Sequence, residues 1–229
     1  MKIGIIGYGK MGKAIEKVAI QQGHNILFKI NSKNTKKLNK NAIKKIDVAI
    51  EFSSAEYAFQ NVMFCINHKT PIVSGTTGWD HKLEKVKKLC LHKQSSFLHA
   101  PNFSIGMNLF FEINDYVAKL MHRKKYAIEI QEKHHAMKKD SPSGTAIKIQ
   151  KDIYHNLHEN NKIEIPIKSK RVGKLKGEHI VNYTSKIDEI TIKHKAKNRL
   201  GFSQGAILAA EFIQNKKGYF TMTDVIKNL

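Results

Sequence analysis

With 229 residues, 41% of them hydrophobic, the chain can bury a real core as one large domain or two small ones, which argues against a disordered protein. No apolar run approaches the ~20 residues of a membrane-spanning helix, so no membrane partner is expected. The formal net charge of +21 favours nucleic-acid binding only weakly, because only three of the 40 basic residues are arginine and the lysines are scattered. We therefore expect no nucleic-acid partner.

The first hundred residues alternate between short apolar runs, typical of buried strands, and stretches with the apolar spacing of helices. Strands are predicted at 2–6, 26–30, 47–52, 71–74 and 96–99. Helices are predicted from 11 to a stop at Gly23, over 57–68 and around 83–90. This alternation predicts an α/β fold with a Rossmann-like, doubly wound parallel sheet. Cys65 and Cys90 fall on apolar helix faces, so we expect reduced core residues in a cytoplasmic protein.

After about residue 104 the pattern changes. Further helices are predicted at 106–122, 143–157 and 205–212, and extended segments at 126–132, 163–171 and 178–194. Runs of extended chain with few crossovers predict an α+β domain with a mixed sheet. We therefore expect two domains, one comprising 1–105 and 206–229 and the other comprising 106–205.

The segment GYGKMG, from Gly7 to Gly12, fits the G-x-G-x-x-G pattern and stands between a predicted strand and an amphipathic helix. In that context Gly7 permits a tight turn, Gly9 lets a pyrophosphate approach the backbone, and Gly12 lets the helix pack on the strand. The free N–H groups at the helix start then face the phosphates. We therefore expect the first domain to bind a dinucleotide.

The second predicted strand lacks the carboxylate that usually binds the adenine ribose at its end. Asn31 stands at this place and can still bond a ribose hydroxyl, while Lys29 and Lys33 can accommodate a 2′-phosphate. The expected cofactor is therefore NADPH or NADH. Two more loops, GTTG at 75–78 and APNFSIG at 100–106, follow strands at the same sheet edge, where their backbone and hydroxyl groups can bond a nicotinamide carboxamide.

The segment EKHHAMKKDSPSGTA combines ionisable side chains with a helix start rich in small residues. His134 and His135 directly follow a predicted strand, so they point opposite ways and need not share a task. Lys138 offers a cation, and the N–H groups of Gly144 and Thr145 form a carboxylate site at the next helix start. A metal centre is disfavoured, because adjacent histidines cannot easily ligate one ion and no cysteine or carboxylate pattern accompanies them. A charged loop that only caps the helix stays an alternative.

The chain resembles the dihydrodipicolinate reductase family, whose members are also called 4-hydroxy-tetrahydrodipicolinate reductases. The family signature is similar to E-x-H-H-x-x-K-x-D-x-P-S-G-T-A, which stands here from Glu132 to Ala146. GYGKMG, GTTG and APNFSIG match the family's cofactor loops in the same order, and RVGKLKGEH and HKAKNRLGFSQGA resemble its second-domain segments. The similarity runs through almost the whole chain.

The resemblance implies a role for each matching residue. His134 is similar to the family's catalytic histidine and Lys138 to its lysine proton donor. The matching substrate contacts are His135, Gly144 and Thr145. The cofactor contacts, with Asn31 in place of the missing carboxylate, are Gly7, Tyr8, Gly9, Lys10, Met11, Gly12, Asn31, Gly75, Thr76, Thr77, Ala100, Pro101, Asn102 and Phe103. No metal ligand is implied.

The implied activity is the NAD(P)H-dependent reduction of 4-hydroxy-tetrahydrodipicolinate, a cyclic imine with two carboxylates, to tetrahydrodipicolinate with loss of water. This is a step of diaminopimelate and lysine biosynthesis, and similar proteins are homotetramers built through the sheet of the second domain. Three alternatives stay open: a reductase or aspartate dehydrogenase of similar layout acting on another imine, a sensor or nucleic-acid-binding module that uses a dinucleotide as its signal, and an inactive homologue.

Overall fold

Two compact units make up the fold. The computed structural model describes residues 1–138, 140–157, 163–173, 175–198 and 200–229. The first unit comprises Met1–Ile105 and Leu200–Leu229, and the second comprises Gly106–Arg199. The second boundary therefore lies a few residues before the expected one, which falls inside a helix. No helix of the described ranges is long and apolar enough to cross a membrane.

Ten strands and eight α-helices are found within the described residues. The strands are β1 Lys2–Ile6, β2 Asn25–Ile30, β3 Val48–Glu51, β4 Ile72–Ser74, β5 Ser96–His99, β6 Ala127–His134, β7 Ile167–Arg171, β8 Glu178–Thr184, β9 Glu189–Lys195 and β10 Gly218–Phe220. The helices are α1 Lys10–Gln21, α2 Lys40–Ile43, α3 Ala55–Asn67, α4 Leu83–His92, α5 Ile105–Met121, α6 Gly144–Leu157, α7 Leu200–Ile213 and α8 Met222–Ile226. Short 3-10 turns lie at Thr35–Lys37 and Asp80–Lys82.

The first unit is a six-stranded, fully parallel sheet in the order β10-β5-β4-β3-β1-β2. Successive residues of β1 point to opposite faces, so both faces need cover. Ile3 and Ile5 pack against α1 and α7, whereas Ile6 packs into the cluster formed with α3 and α4. Cys65 and Cys90 are buried free thiols in that second cluster, and burial raises the pKa of Cys90 to about 11. The predicted Rossmann-like sheet is confirmed.

The second unit is a four-stranded mixed sheet in the order β7-β6-β8-β9, in which only the β6–β7 pair is parallel. Helices α5 and α6 cover one face and bury Ile128, Ile130, Val181 and Tyr183. This confirms the predicted mixed sheet. Several boundaries differ from the prediction. Strand β6 continues through His134, β7 begins only at Ile167, and the extended stretch 178–194 divides into the hairpin β8–β9. Helix α7 begins at Leu200, five residues before the predicted start.

Candidate active site

The carboxyl ends of four parallel strands lie side by side in the first unit. Ile6 pairs with Glu51, Glu51 with Ser74, and Ser74 with His99. The loops GYGKMG, GTTG and APNFSIG follow β1, β4 and β5 directly, so they leave the sheet at one edge. Ligands of open α/β sheets bind at this edge. The structure therefore brings together the three loops that the sequence predicts to hold a cofactor.

The turn between β1 and α1 requires glycine at two positions for different reasons. Gly7 has a φ of +96°, and its N–H donates a hydrogen bond of 2.9 Å to the carbonyl oxygen of Ile30. A Cβ on Gly7 would also overlap the backbone carbonyl of Phe52. A Cβ on Gly12 would overlap the carbonyl oxygen of Gly7, so glycine allows α1 to pack directly on the turn.

Gly9 differs from both, because a Cβ placed on it would meet no atom of the protein within 4 Å. It is the N-cap of α1 and faces a cleft of about 540 Å³. The residues around this cleft are Gly9, Lys10, Met11, Phe52, Ser53, Ser54, Ala55, Gly75, Thr76 and Thr77. A backbone without a side chain at a helix N-terminus fits the pyrophosphate of a dinucleotide.

A second cleft, of about 560 Å³, continues past Tyr8 towards the end of β2. Asn31 lies at its edge, where its side-chain oxygen accepts a hydrogen bond of 2.9 Å from the N–H of Lys33. Lys29 is paired with Glu16 at 2.9 Å, and the Tyr8 hydroxyl also donates to Glu16. Hydrogen bonds from Lys29 and Tyr8 hold the pKa of Glu16 below its usual value. The ammonium of Lys29 is therefore engaged by a carboxylate of α1.

A buried carboxylate lies beneath these loops, and no role was predicted for it. Glu51 is fully buried at the end of β3. It accepts hydrogen bonds from the hydroxyls of Ser74 at 2.6 Å and Thr76 at 2.9 Å, and from the N–H of Ser53 at 2.9 Å. A buried polar group needs such hydrogen-bond partners. Glu51 therefore ties the GTTG loop to the end of β3, and the only sequence signal for it was an acid that ends an apolar strand.

His99 and Trp79 fix the same loop from the other side. The indole N–H of Trp79 donates to the carbonyl oxygen of Thr76 at 2.7 Å, and the His99 ring nitrogen Nε2 lies 3.2 Å from that oxygen. The rings of Trp79 and His99 meet edge to face with centroids 5.3 Å apart. Burial lowers the pKa of His99, which favours the neutral imidazole.

The APNFSIG loop packs inward. Ala100 and Phe103 are buried, and the side-chain oxygen of Asn102 accepts a hydrogen bond of 2.9 Å from the N–H of Ser104. The rings of Phe103 and Phe52 are 5.5 Å apart. The residues from Ala100 to Phe103 line neither of the two clefts, so their cofactor contacts stay a prediction.

The second unit gathers three ionisable side chains at the end of β6. Glu132 and His134 continue the buried face that begins with Ile128 and Ile130, and His179 lies opposite Glu132 across the β6–β8 ladder. The distance from Glu132 Oε2 is 3.4 Å to His134 Nδ1 and 3.9 Å to His179 Nε2. The two imidazole rings stand edge to face with centroids 5.0 Å apart.

The other carboxylate oxygen of Glu132 is held by three donors. Oε1 accepts hydrogen bonds from the N–H of Ser143 at 3.1 Å, the hydroxyl of Ser169 at 2.8 Å and the guanidinium of Arg171 at 3.2 Å. Burial by itself raises the pKa of Glu132, but the hydrogen bonds from Ser143 and Ser169 bring it below its usual value. Glu132 is therefore an ionised, oriented carboxylate.

Burial also lowers the pKa of both neighbouring histidines. The pKa of His179 falls to about 4, mainly because the ring is buried and also because His134 lies beside it. For His134 burial outweighs the attraction of Glu132, so its pKa is lowered as well. At neutral pH the cluster therefore consists of one carboxylate and two neutral imidazoles.

The loop after β6 is organised by ion pairs. The ammonium of Lys138 bonds both carboxylate oxygens of Asp140 at 2.9 Å. Arg171 donates from Nε to the carbonyl oxygen of Lys138 at 3.3 Å and from Nη2 to that of Asp140. His135 lies in the turn that follows β6, whereas His134 is buried at the strand end. The two adjacent histidines therefore occupy different environments.

Helix α6 begins beside this cluster. The hydroxyl of Ser143 accepts a hydrogen bond of 3.2 Å from the N–H of Ala146, and it lies 3.4 Å from His179 Nε2. A Cβ on Gly144 would meet nothing within 4 Å, so the start of the helix is open at Gly144. The positive end of the helix dipole at Gly144 and Thr145 suits an anionic group.

Three residues of this site had no predicted role. Arg171 and His179 come from β7 and β8, far along the chain from the signature, so no local motif marks them. Glu132 belonged to the signature without a function. The alternation of AIEIQEKH was the available signal, because every second side chain of a strand shares a face and Glu132 and His134 are two residues apart.

Two family models match the chain. One is described as "Dihydrodipicolinate reductase, N-terminus" and matches residues 1–103, and the other is described as "Dihydrodipicolinate reductase, C-terminus" and matches residues 106–226.

Relatives of known name are similar along their full length. The 4-hydroxy-tetrahydrodipicolinate reductase of Christiangramia forsetii is 42% identical, with 100% of this chain and 99% of the relative covered. The protein of the same name from Thermosipho africanus is 34% identical, with 99% and 98% covered.

The solved structures agree in fold. A dipicolinate-bound dihydrodipicolinate reductase from Paenisporosarcina sp. TG-14 superposes with a TM-score of 0.80 at 23% identity, covering 96% of this chain and 97% of that one. An amine dehydrogenase from Mycobacterium smegmatis follows with a TM-score of 0.65 at 9% identity, covering 99% and 95%. The family models, which span nearly the whole sequence, and the 42% identical relative establish that the chain belongs to the dihydrodipicolinate reductase family.

Proposed function

We propose that this protein reduces 4-hydroxy-tetrahydrodipicolinate to tetrahydrodipicolinate with loss of water, using NADPH or NADH, in diaminopimelate and lysine biosynthesis. The observation that carries the proposal is the 42% identity, along the whole chain, to a curated reductase of that name. The second unit adds the chemistry, because a buried imidazole lies beside a helix start that suits a carboxylate.

The first unit would hold the nicotinamide cofactor, which supplies a hydride to the substrate ring when bound. The two clefts around the glycine turn are continuous in lining at Gly9, Phe52 and Ser53, which suits an extended dinucleotide. We expect the backbone of GYGKMG to bind the pyrophosphate, and the backbone and hydroxyl groups of Thr76 and Thr77 to bind the nicotinamide carboxamide. With Asn31 at the end of β2, no carboxylate there repels a 2′-phosphate, so we expect NADPH to be used at least as well as NADH.

His134 would supply the proton that balances hydride addition, with Lys138 as its partner. Burial keeps the pKa of His134 low in the free protein. A substrate with two negative charges would raise that pKa on binding, because opposite charges favour the imidazolium. His134 would then be charged where negative charge develops on the substrate.

The start of α6 would hold a substrate carboxylate. The N–H groups of Gly144 and Thr145 offer donors at the positive end of the helix dipole. His135, in the turn after β6, would contact the same substrate. These roles explain why a buried polar cluster and an open helix start lie side by side.

We also infer that the protein works as a cytoplasmic homotetramer assembled through the sheet of the second unit. The support is exposed apolar surface at the β8–β9 end of that sheet, where Ile190 of β9 is 41% exposed and Ile187, in the connecting turn, is 93% exposed. Sedimentation equilibrium of the wild type, with Ile187→Lys as the interface variant, tests the assembly. A wild type that sediments as a monomer would contradict it.

The activity is tested in a coupled assay. A purified dihydrodipicolinate synthase makes the substrate from pyruvate and aspartate semialdehyde, and nicotinamide absorbance is followed with NADPH and NADH in parallel. His134→Gln is expected to lower kcat by about 10²–10⁴-fold while the Kd for NADPH stays unchanged. The control is His92→Gln, an exposed histidine at the end of α4 in the first unit. Synthase-dependent oxidation that is absent with both nucleotides, or equal turnover in His134→Gln, would refute the proposal.

A further inference from the structure

The acid and the two histidines at the end of β6 have the arrangement of a metal site. The ligand atoms of Glu132, His134 and His179 all lie within 4.8 Å of one another. Tetrahedral Zn²⁺ binds nitrogen and oxygen at about 2.0–2.2 Å, which places its ligand atoms about 3.4 Å apart. The observed separations from Glu132 Oε2 are 3.4 Å and 3.9 Å, so small side-chain movements would close the site.

Two of these ligand atoms lack another partner. Glu132 Oε2 and His134 Nδ1 are buried and have no hydrogen-bond partner among the described residues. Their side chains are 0% and 9% exposed. An ionised carboxylate oxygen buried without a donor is costly, and a cation between it and the imidazoles would remove that cost. The site therefore carries a second indication of a ligand, independent of its geometry.

The backbone holds the ligand set in place. Glu132 and His134 are two residues apart on the buried face of β6, and His179 is the direct ladder partner of Glu132 on β8. Three hydrogen bonds to Oε1, from Ser143, Ser169 and Arg171, turn Oε2 towards the imidazoles. The ligands are therefore held near their binding positions before any ion arrives, which lowers the cost of binding.

The chemistry of the donors selects the kind of metal. One carboxylate with two neutral imidazoles is a ligand set of zinc sites that keep an open fourth position. Calcium and magnesium prefer oxygen ligands, so they fit this set poorly. His135 is not among these ligands. Adjacent histidines cannot easily share one ion, but this trio takes its second histidine from β8.

We propose that Glu132, His134 and His179 bind one Zn²⁺ ion, or a similar divalent transition metal, and that the bound ion inhibits the enzyme. Inhibition follows because the ion would hold His134, the proposed catalytic side chain, as one of its ligands. The inhibitory part rests on the proposed function, whereas binding of the ion does not.

Binding is tested by isothermal titration of the full chain with Zn²⁺, in a buffer that does not chelate, without nucleotide or substrate. We expect one tight Zn²⁺ per chain and a rise in the thermal midpoint, since a ligand that binds only the folded state stabilises it. His179→Gln and Glu132→Gln should each weaken binding by about tenfold or more. Mg²⁺ should not bind. The surface variant His92→Gln should bind Zn²⁺ like the wild type, which shows that loss of an exposed histidine, one of 12 in the chain, does not by itself weaken binding.

Thermal unfolding without metal establishes that each variant is folded. If Glu132→Gln does not fold, His179→Gln alone decides the matter, because it leaves the Glu132–Arg171 pair in place. Wild type that binds no Zn²⁺, or folded His179→Gln that binds it as tightly as wild type, would overturn the proposal.

Inhibition is measured separately in the coupled assay at buffered free Zn²⁺, because a dicarboxylate imine is itself a chelator. Wild-type turnover should fall as Zn²⁺ fills the site and recover on addition of EDTA, while the activity that remains in His179→Gln should resist it. A protein that binds Zn²⁺ but reduces nothing would refute the proposed function and leave the metal site standing. A protein active at full rate with Zn²⁺ bound would refute the inhibition.

Discussion

The glycine turn allows cofactor binding to be separated from folding with one methyl group. Gly9→Ala adds a Cβ that meets no protein atom within 4 Å, at a φ of −92° that any residue adopts. Gly7→Ala adds the same methyl at a φ of +96°, where it overlaps the backbone of Phe52. The first change should therefore affect only a ligand that approaches the turn, and the second should affect the fold.

The magnitudes follow from these positions. Alanine is a poorer N-cap than glycine by up to about 1 kcal/mol, but it lowers the entropy of the unfolded chain by about 0.4–1 kcal/mol. The free energy of unfolding of Gly9→Ala should therefore stay within about 0.5 kcal/mol of the wild type. A methyl between the backbone and the pyrophosphate should raise the Kd for NADPH by about tenfold or more, equivalent to at least about 1.4 kcal/mol. Gly7→Ala should lose several kcal/mol of stability, because a strained φ and a backbone overlap add.

Urea unfolding gives the stabilities, and quenching or enhancement of NADPH fluorescence gives the Kd of the folded proteins. Gly7→Ala is the matched control, since it introduces the same atom two residues away. If Gly9→Ala binds NADPH as tightly as the wild type, the phosphates do not approach the turn at Gly9. If Gly9→Ala is as unstable as Gly7→Ala, the conclusion that a methyl group at Gly9 meets no protein atom is wrong.

Three further predictions concern the buried polar groups. Glu51→Ala removes the acceptor of the Ser74 and Thr76 hydroxyls and should cost about 2–4 kcal/mol by urea unfolding. The exposed Glu56→Ala should cost less than about 0.5 kcal/mol, and equal losses would contradict the role of Glu51. Burial lowers the pKa of His99, so as the pH falls the unfolded chain binds a proton at this side chain before the folded protein does. The contribution of His99 to the free energy of unfolding is therefore complete above pH 6.5 and is lost as the pH falls below it. His99→Gln should reduce the loss of stability between pH 7.5 and 5.5, and an undiminished loss would contradict this. Arg171→Lys keeps the positive charge but loses the planar guanidinium that bonds both Glu132 and the loop after β6. The kcat should therefore fall at least about tenfold, while the affinity for NADPH is kept. A wild-type kcat would show that the guanidinium is dispensable.

The parallel sheet was predictable from the sequence because its central strands are buried on both faces and contain apolar runs. IGII and VAIE carry this signal, and their strands were placed to within a residue or two. The last strand of the sheet, Gly218–Phe220, was not predicted, because three residues are too few to show a period. Pairing with β5 supplies what the local sequence lacks.

The candidate site was predictable only where its residues are neighbours in the chain. His134, Lys138 and the helix start at Gly144 lie within one segment, so a signature marks them. His179 and Arg171 join the site because of the way β8 and β7 pair with β6. A single sequence does not specify this register when the connecting loops carry no strong turn signal. The role of Glu51 was hidden for another reason, since its donors come from the ends of two different strands.

The position of the cluster on β6 explains how the strand that forms the apolar core also buries the side chains of the candidate active site. Ile128 and Ile130 point into the apolar core, and the next two residues of the same face are Glu132 and His134. The pleat that buries the isoleucines therefore also removes the acid and the imidazole from water. Desolvation by itself would protonate the acid, and the donors from β7 and the start of α6 prevent this. The result is a neutral imidazole beside a fixed negative charge. This imidazole can accept a proton when a dianionic substrate binds, or a metal ion when one is available.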